Sequence, residues 1–536
     1  MGLVNRRAQE RRDIVWRNAS QQQDKEASLL ANLTAAIELV ATAQNLAFSC
    51  LGIILGFLFG ALPGIGGNVA IGLLIPFTYY LDPVVGIVCL LAIGKGTSFG
   101  GSIPAILLNM PGTSQASFTA IDGHQLTQKG QSKKALHTAL YSSVIGDLFS
   151  DIVLLLVAAP IAAVALKVGP PEYAAIVLFA LLIIGAMVGS SPIKGMISTG
   201  FGLLLGTVGR DLFTAKARFT FDIANLDDGF AIVPILLGLL VFSEAFVQLR
   251  KETGGRHEDI ALNGLDLSRG GESLKISELI PLLPTILRSG AIGTFIGATP
   301  GLGATVGAFL SYLTAKRLSR PEDKIGQGGL KGIAAAEAGN SAGTGANLIP
   351  LVTLGIPGNI EAALVLGAFM IHGLTPGPFL MEQQGPIVYA IFLSLIVANL
   401  LLISMGFGFI RLARYALAID KRILFPLILL VATIGVYATT RQIFDVGVMY
   451  LFGVLGYAMR RAGFSPLPML IAFLLGPLLE DGVRRALIMS GGNPVIFLER
   501  PISLVFVVLA ALTLAAMIWR GVRNRRNATE AASIAE

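Results

Sequence analysis

The sequence predicts an all-α polytopic membrane protein made of two structural repeats with discontinuous helices, and three observations carry that reading. Of 536 residues, 54% are hydrophobic and only 14% are charged, against about 25% charged in ordinary soluble chains. Apolar windows of about 20 residues, enough to cross a bilayer, recur along nearly the whole chain. A two-part Pro-Gly motif occurs twice, in the same order. Glycine is also abundant, at 63 residues. In lipid, small residues let helices approach closely and tolerate the breaks that binding sites need.

Taken in order, residues 1–27 form a polar, basic tail (Arg6, Arg7, Arg11, Arg12, Arg17). No apolar core with a small-residue cleavage site follows, so the tail reads as cytoplasmic and not as a cleaved signal peptide. Residues 28–249 form the first membrane repeat, with candidate spans in 43–62, 66–81, 83–96, 138–166, 172–189, 192–209 and 231–249. The segment 250–279 is a cytoplasmic linker carrying Arg250, Lys251, Arg256, Arg269 and Lys275. Residues 280–500 form the second repeat, with candidates in 280–298, 302–316, 347–373, 386–410, 422–438, 443–459 and 464–479. A last span, 501–519, leads into a basic tail within 501–536. Several candidates are short, and 29–42 reads as either a short span or an interfacial helix, so roughly 10–14 segments cross. Basic clusters such as Lys129/Lys133/Lys134, Lys316/Arg317/Arg320 and Arg460/Arg461 fall between spans. Positive-inside topology makes these loops and both termini cytoplasmic, which requires an even number of crossings.

The net charge of +7 is accounted for by that topology, and no nucleic-acid-binding motif accompanies it. Cys50 and Cys89 both lie in apolar stretches, which excludes a disulfide framework or a Cys-rich metal site. The four histidines show no ligand spacing. "GIGGNVAIG" and "GLGATVGA" are not nucleotide loops, because neither follows a soluble strand or carries Lys-Ser/Thr in the phosphate position. No nucleophile, base and orienting group stand together, so the chain does not read as an enzyme.

The two motif parts recur in the same order in both halves. "GALPGIGGNVAI" at 60–71 matches "GATPGLGATVGA" at 297–308, and "IPAILLNMPG" at 103–112 matches "IPLVTLGIPG" at 349–358. Proline removes a backbone donor and glycine permits non-helical angles, so Pro-Gly inside an apolar run breaks the helix. Freed backbone groups are tolerated in a membrane only when buried in protein or facing a watered cavity. A half-helix that restarts there aims free N–H groups and a partial positive charge at the cavity, which suits an anion. Transporters use discontinuous helices of this kind at corresponding positions of two repeats.

The candidate substrate- or ion-binding residues follow from the breaks. In the first half they are Gly64, Gly66, Asn68, Ser102, Asn109, Pro111, Gly112 and Thr113. In the second they are Gly301, Gly303, Thr305, Asn340, Asn347, Thr353, Pro357, Gly358 and Asn359. Amides and hydroxyls can hold a carboxylate or a sodium ion without a fixed buried charge; the plainer reading is that they pack and hydrogen-bond helices. Asp147 and Asp151, four residues apart on one helix face, are either an intramembrane proton or cation site or a solvated interfacial pair. Lys95 either attracts anions or snorkels. Glu337 leads into the second break, Glu361 is placed to cap the restarting half-helix, and Arg288 is placed to pair with an acid.

At these motifs the chain resembles the large membrane subunit of tripartite tricarboxylate transporters, the TctA family. The resemblance rests on "LPGIGG" at 62–67, "FGGSIPAILLNMPG" at 99–112, "DGHQLTQKG" at 122–130, "PGLGAT" at 300–305, "GIAAAEAGNSAGTGANLIPLVTLGIPG" at 332–358, "GLTPGP" at 373–378 and the stretch 453–487. It covers residues from about 40 to 500. It implies a bacterial inner-membrane permease working with a small membrane subunit and a periplasmic solute-binding protein. It further implies uptake of organic di- or tricarboxylates driven by a Na+ or H+ gradient, with no other cofactor. An inverted, elevator-like arrangement of the repeats is the preferred fold. The alternatives are a standalone channel or scaffold subunit without its own substrate site, and an intramembrane enzyme. Phe99, Ala336 and the Asp147/Asp151 pair depart from the family pattern, which leaves the carboxylate open.

Overall fold

Helix breaks and bare glycine faces govern how this chain packs. The computed structural model describes residues 31–62, 66–165, 168–188, 191–211, 213–253, 271–377, 379–417, 419 and 421–517. The amino-terminal tail, Gly64, most of the 250–279 linker and the basic carboxyl tail lie outside them.

The helices are α1 (Ala31–Val40), α2 (Ala43–Ala61), α3 (Gly66–Thr78), α4 (Pro83–Gly100), α5 (Ser102–Leu108), α6 (Ser117–Gln128), α7 (Ser132–Ala165), α8 (Pro170–Met187) and α9 (Pro192–Gly206). A short ribbon follows, with β1 (Gly209–Arg210) antiparallel to β2 (Ala217–Arg218). Then come α10 (Ile232–Arg250), α11 (Ile276–Gly297), α12 (Gly303–Arg317), α13 (Leu330–Ala346), α14 (Leu348–Leu354) and α15 (Ile360–Ile371). The chain continues through α16 (Gly385–Leu417), α17 (Lys421–Thr440), α18 (Ile443–Arg461), α19 (Pro466–Met489) and α20 (Pro501–Met517). Among the described residues ten helices are long and apolar enough to cross a membrane: α2, α4 running into α5, α7, α8, α10, α11 and α16 to α19. The expected segments at 66–81 and 302–316 form single helices too short to cross (α3, 13 residues, and α12, 15 residues), and that at 347–373 is broken at Gly355–Gly358 into α14 and α15.

Glycine brings α2 and α4 together in parallel. A Cβ added at Gly52, Gly56 or Gly60 would lie 2.4 Å from the Cys89 carbonyl oxygen, 2.3 Å from that of Ile93 or 2.8 Å from that of Thr97. The second half repeats this between α11 and α13, where a Cβ at Gly293 or Gly297 would meet the carbonyl oxygens of Gly339 or Gly343 at 2.4 and 2.3 Å. Only backbone fits at such approaches, and the dense contact substitutes for the hydrophobic drive that lipid does not supply. Gly66 and Gly303, which occupy equivalent motif positions, start α3 and α12 with φ of 69° and 67°.

Each broken pair is a helical hairpin. The open ends of α11 and α12 lie with the loops around α6 and α7: Lys134 bonds Glu278, Gln125 Nε2 donates to the Gly326 carbonyl at 2.9 Å, and Lys129 Nζ to that of Gln327 at 2.6 Å. The open end of α2–α3 lies with the segment joining α15 to α16. There His372 packs beside Gly86 at the start of α4 and near Thr78 at the end of α3, while Asn45 Nδ2 donates to Ser394 Oγ within α16 at 2.9 Å. The far part of α16 returns to the start of α7, where Phe407 packs edge-on against His137 and Tyr141. The largest apolar core lies between α3, α10, α14 to α16, α18 and α19.

Candidate functional site

The two halves meet where their helices break. Ser98 Oγ near the end of α4 lies 3.3 Å from Thr344 Oγ1 near the end of α13. Beside this contact a small cavity is lined by Lys95, Thr344, Asn347, Asn359 and Glu361 among apolar residues of α3, α4, α15 and α16. α15 restarts at the cavity, and Asn359 caps it by accepting from the Ala362 N–H at 2.8 Å. The remaining first-turn N–H groups and the helix dipole make this end attractive to negative charge.

Several polar side chains around the breaks are buried with no partner: both amide atoms of Asn340 and of Asn347, Asn68 Oδ1, Thr113 Oγ1 and Ser341 Oγ. Buried polar atoms are nearly always satisfied in folded proteins, so a concentration of exceptions marks a place built to meet something else. Asn347 is anchored by packing alone, its amide oxygen 2.7 Å from where a Cβ on Gly358 would stand.

Behind the cavity lies a charged cluster. Lys95 Nζ bonds Asp147 Oδ2 at 2.5 Å and Asp151 Oδ2 at 2.7 Å, and Asn399 Nδ2 donates to the same Asp151 oxygen at 2.7 Å. All four residues are buried. The cluster presses on α13, where a Cβ at Gly345 would fall 2.9 Å from Asp147 Oδ1 and 3.2 Å from Asp151 Oδ1. Glu337 forms a second, uncharged-partner knot, accepting from Ser102, Thr119 and, at 2.8 Å, Ser143. It ties α5, α6 and α7 to α13.

A model of the tripartite tricarboxylate transporter TctA family matches residues 46–471. The chain belongs to that family. An Agrobacterium vitis relative, described as an uncharacterized 52.8 kDa protein in the TAR-I ttuC' 3' region, is 36% identical over 501 residues, or 93% of this chain and 98% of its own length. A second, an uncharacterized protein in the TAR-II ttuC' 3' region of the same organism, is 37% identical over 235 residues, 44% of this chain and 97% of its own. No solved structure matches the chain. TctA membership makes this a transporter component, a multi-pass membrane protein of a family that belongs to a system with partner subunits.

Within this TctA-family chain, the residues anticipated from sequence divide by environment. Asn347 and Asn359 line the cavity. Asn340, Asn68 and Thr113 present unpartnered buried atoms near the breaks. Thr305 meets Ser114 across the halves at 3.2 Å. Gly112 and Gly358 allow close approach, since a Cβ on Gly112 would stand 2.0 Å from the Gly60 carbonyl oxygen. Gly301 donates its N–H to the Gly358 carbonyl at 3.0 Å, joining the two parts of the second motif. Pro357 is buried beside it, and Pro111 is half-buried in the first.

Other anticipated residues stand in different surroundings. Ser102 serves Glu337 and not the cavity. The Thr353 hydroxyl bonds the Ile349 carbonyl of its own helix at 2.6 Å, which leaves it no free donor. Asn109 is exposed and forms the left-handed end of α5, as Gly355 does for α14. Asn359, not Glu361, caps α15; Glu361 stands in its first turn. Asp147 and Asp151 are buried and not solvated, and Lys95 does not snorkel, because its ammonium is buried between the two carboxylates. Arg288 Nε is buried without a partner, and no ion pair joins Arg288 to an acid among the described residues. Asn399 went unremarked in the sequence, although a lone amide within "LIVANLLL" is the signal that could have found it.

Proposed function

We propose that this TctA-family chain is the large permease subunit of a secondary, ion-gradient-driven importer of organic di- and tricarboxylates. It works in the bacterial inner membrane, multi-pass with both termini cytoplasmic, taking substrate from a periplasmic binding protein beside a small membrane subunit. The observation that carries the reading is the cavity at the paired breaks. Lys95, the capped amino end of α15 and the unpartnered Asn347 amide converge on it. A positive helix end and neutral donors suit a carboxylate, with the Lys95 charge shared with Asp147 and Asp151 and with Glu361 on the same lining.

The repeats are inverted and move in an elevator-like manner. Supporting this, the end of α3 lies beside His372, just past α15, and the α11–α12 hairpin opens toward the loops around Lys129 and Lys134. Two hairpins entering from opposite faces bring their broken tips together near the midplane, where substrate sites of inverted-repeat transporters lie. The basic loops that gather around the second hairpin would be cytoplasmic.

The test is uptake of labelled di- and tricarboxylates into proteoliposomes holding the chain with and without its two partner proteins. We expect gradient-driven accumulation that needs the binding protein. Uptake indifferent to its omission would refute the tripartite role. Asn347→Ala and Asn340→Ala should each cut uptake at least about tenfold, the effect of losing one or two charge-assisted hydrogen bonds. Normal transport by both would move the substrate site elsewhere.

A further inference from the structure

The charge arithmetic of the buried cluster is unbalanced. Lys95 brings one positive charge and Asp147 and Asp151 two negative ones, so the fully ionised set is one charge short of neutral. Burying an uncompensated charge at membrane depth is costly, and such residues mark ion and proton pathways. The hydrogen bonding shows where the missing charge fits. Asp151 Oδ2 already accepts from Lys95 Nζ and from Asn399 Nδ2, both at 2.7 Å. Asp151 Oδ1 is buried and accepts from nothing, and Asn399 Oδ1 is likewise unpartnered. The Lys95 ammonium stands between the Oδ2 atoms of the two carboxylates and already supplies one cation to the cluster. A proton needs only the free oxygen and displaces nothing.

We propose that the Lys95–Asp147–Asp151–Asn399 cluster holds the coupling proton, taken up on Asp151 Oδ1. This rests on the permease reading above. Loading forms one O–H bond at Asp151 and breaks none within the protein, and release is the reverse. The cluster thus alternates between a net charge of −1 and neutrality while Lys95 stays protonated and bound to Asp147.

Lys95 also lines the cavity, so the two states matter to the substrate. A carboxylate entering beside an ionised cluster meets a net negative charge, in a cavity that Glu361 on α15 also lines. With the proton in place, Lys95 is released from one of its two counterions and can attract the anion. Of the other ionisable groups on the elements packed around the cluster, Glu337 on α13 is occupied by three hydroxyls and Arg288 lies on α11. α16 supplies the neutral Asn399 and α14 no ionisable residue. Proton and carboxylate therefore favour each other's binding, and linkage makes the effect reciprocal.

The experiment uses the complete three-protein system in proteoliposomes enclosing a pH-sensitive dye, with labelled carboxylate as the probe. For the native chain we expect carboxylate-dependent proton entry and accumulation driven by a pH gradient. Apparent carboxylate affinity should fall up to about tenfold per pH unit on the alkaline side, the limit for one linked proton. Asp151→Asn should lose the dye signal and flatten the pH dependence of counterflow, whatever its rate, and Asp151→Glu should restore both. Lys95→Gln removes the stabilising cation, so proton uptake should shift to higher pH by about a unit or more. Asp151→Asn that still moves protons, Lys95→Gln with an unshifted profile, or native transport driven by sodium at constant pH without a dye signal would each overturn the proposal. A native system that moves no carboxylate in either mode would overturn the permease reading instead.

Discussion

Asn109 and Gly355 occupy equivalent positions in the two motifs and end their short helices with φ of 56° and 73°. Glycine enters this region freely, asparagine with little strain, and a β-branched residue at about 1–2 kcal/mol. Asn109→Gly should therefore keep both thermal stability and carboxylate uptake, whereas Asn109→Val should lower the unfolding midpoint in detergent. Loss of uptake by a stable Asn109→Gly protein would return Asn109 to a binding role. A second residue-scale prediction concerns the ribbon between α9 and α10. The N–H groups of Thr214 and Phe213 at 2.7 and 3.0 Å, with the Arg484 guanidinium at 2.6 Å, hold the Asp211 carboxyl well below the usual carboxylate range. A depressed folded value stabilises fully above the unfolded value of about 3.9 and is lost as pH falls below it. Thermal unfolding from pH 6 to 3 should show a steeper acid loss in the native chain than in Asp211→Asn. Equal slopes would contradict the assignment.

Among the elements, the hairpins depend on glycine for two separable reasons. At Gly297 the obstacle is space, since a Cβ would lie 2.3 Å from the Gly343 carbonyl oxygen and α11 and α13 would have to part. At Gly303 it is conformation: the nearest atom to a Cβ is 3.9 Å away, but φ is 67°. Overpacking typically costs about 1–3 kcal/mol, and a single left-handed alanine about 1–2. Gly297→Val should therefore unfold at a lower temperature than Gly303→Ala when both are followed by thermal size-exclusion assays. The reverse order would mean that α11 and α13 are not in close contact. The breaks themselves were legible in sequence, because Pro-Gly in an apolar run acts locally. That glycines upstream of the motif, at 52, 56 and 293, pack against carbonyls was not, because it depends on which helix lies opposite.

For the whole molecule, the question is the side from which each hairpin enters. With Cys50 and Cys89 replaced by serine, single cysteines at Leu81, just past α3, and at Leu318, ending α12, should label from opposite sides of the membrane. Labelling from the same side would sink the inverted arrangement. The Asp122 side chain gives the second hairpin its anchor at the basic face. It accepts from Tyr312 at 3.0 Å and from the N–H groups of Gly326, Gly328 and Gly329 at 2.7 to 2.8 Å. The "DGHQLTQKG" motif is thus a clamp on the α12–α13 loop, a role its composition does not reveal.

By itself the sequence determined the all-helical membrane class, the places where helices break and the matching of the two halves. Hydropathy, missing donors and backbone freedom belong to each segment separately. Only the tertiary structure decided the partners of the buried charges. Lys95 finds Asp147 and Asp151 at 52 and 56 residues' distance, and Asp151 finds Asn399 at 248. An ionisable side chain in lipid must be satisfied, but which residue satisfies it depends on the helices that pack together. That is why two aspartates readable as a solvated pair became the centre of a buried cluster beside the cavity.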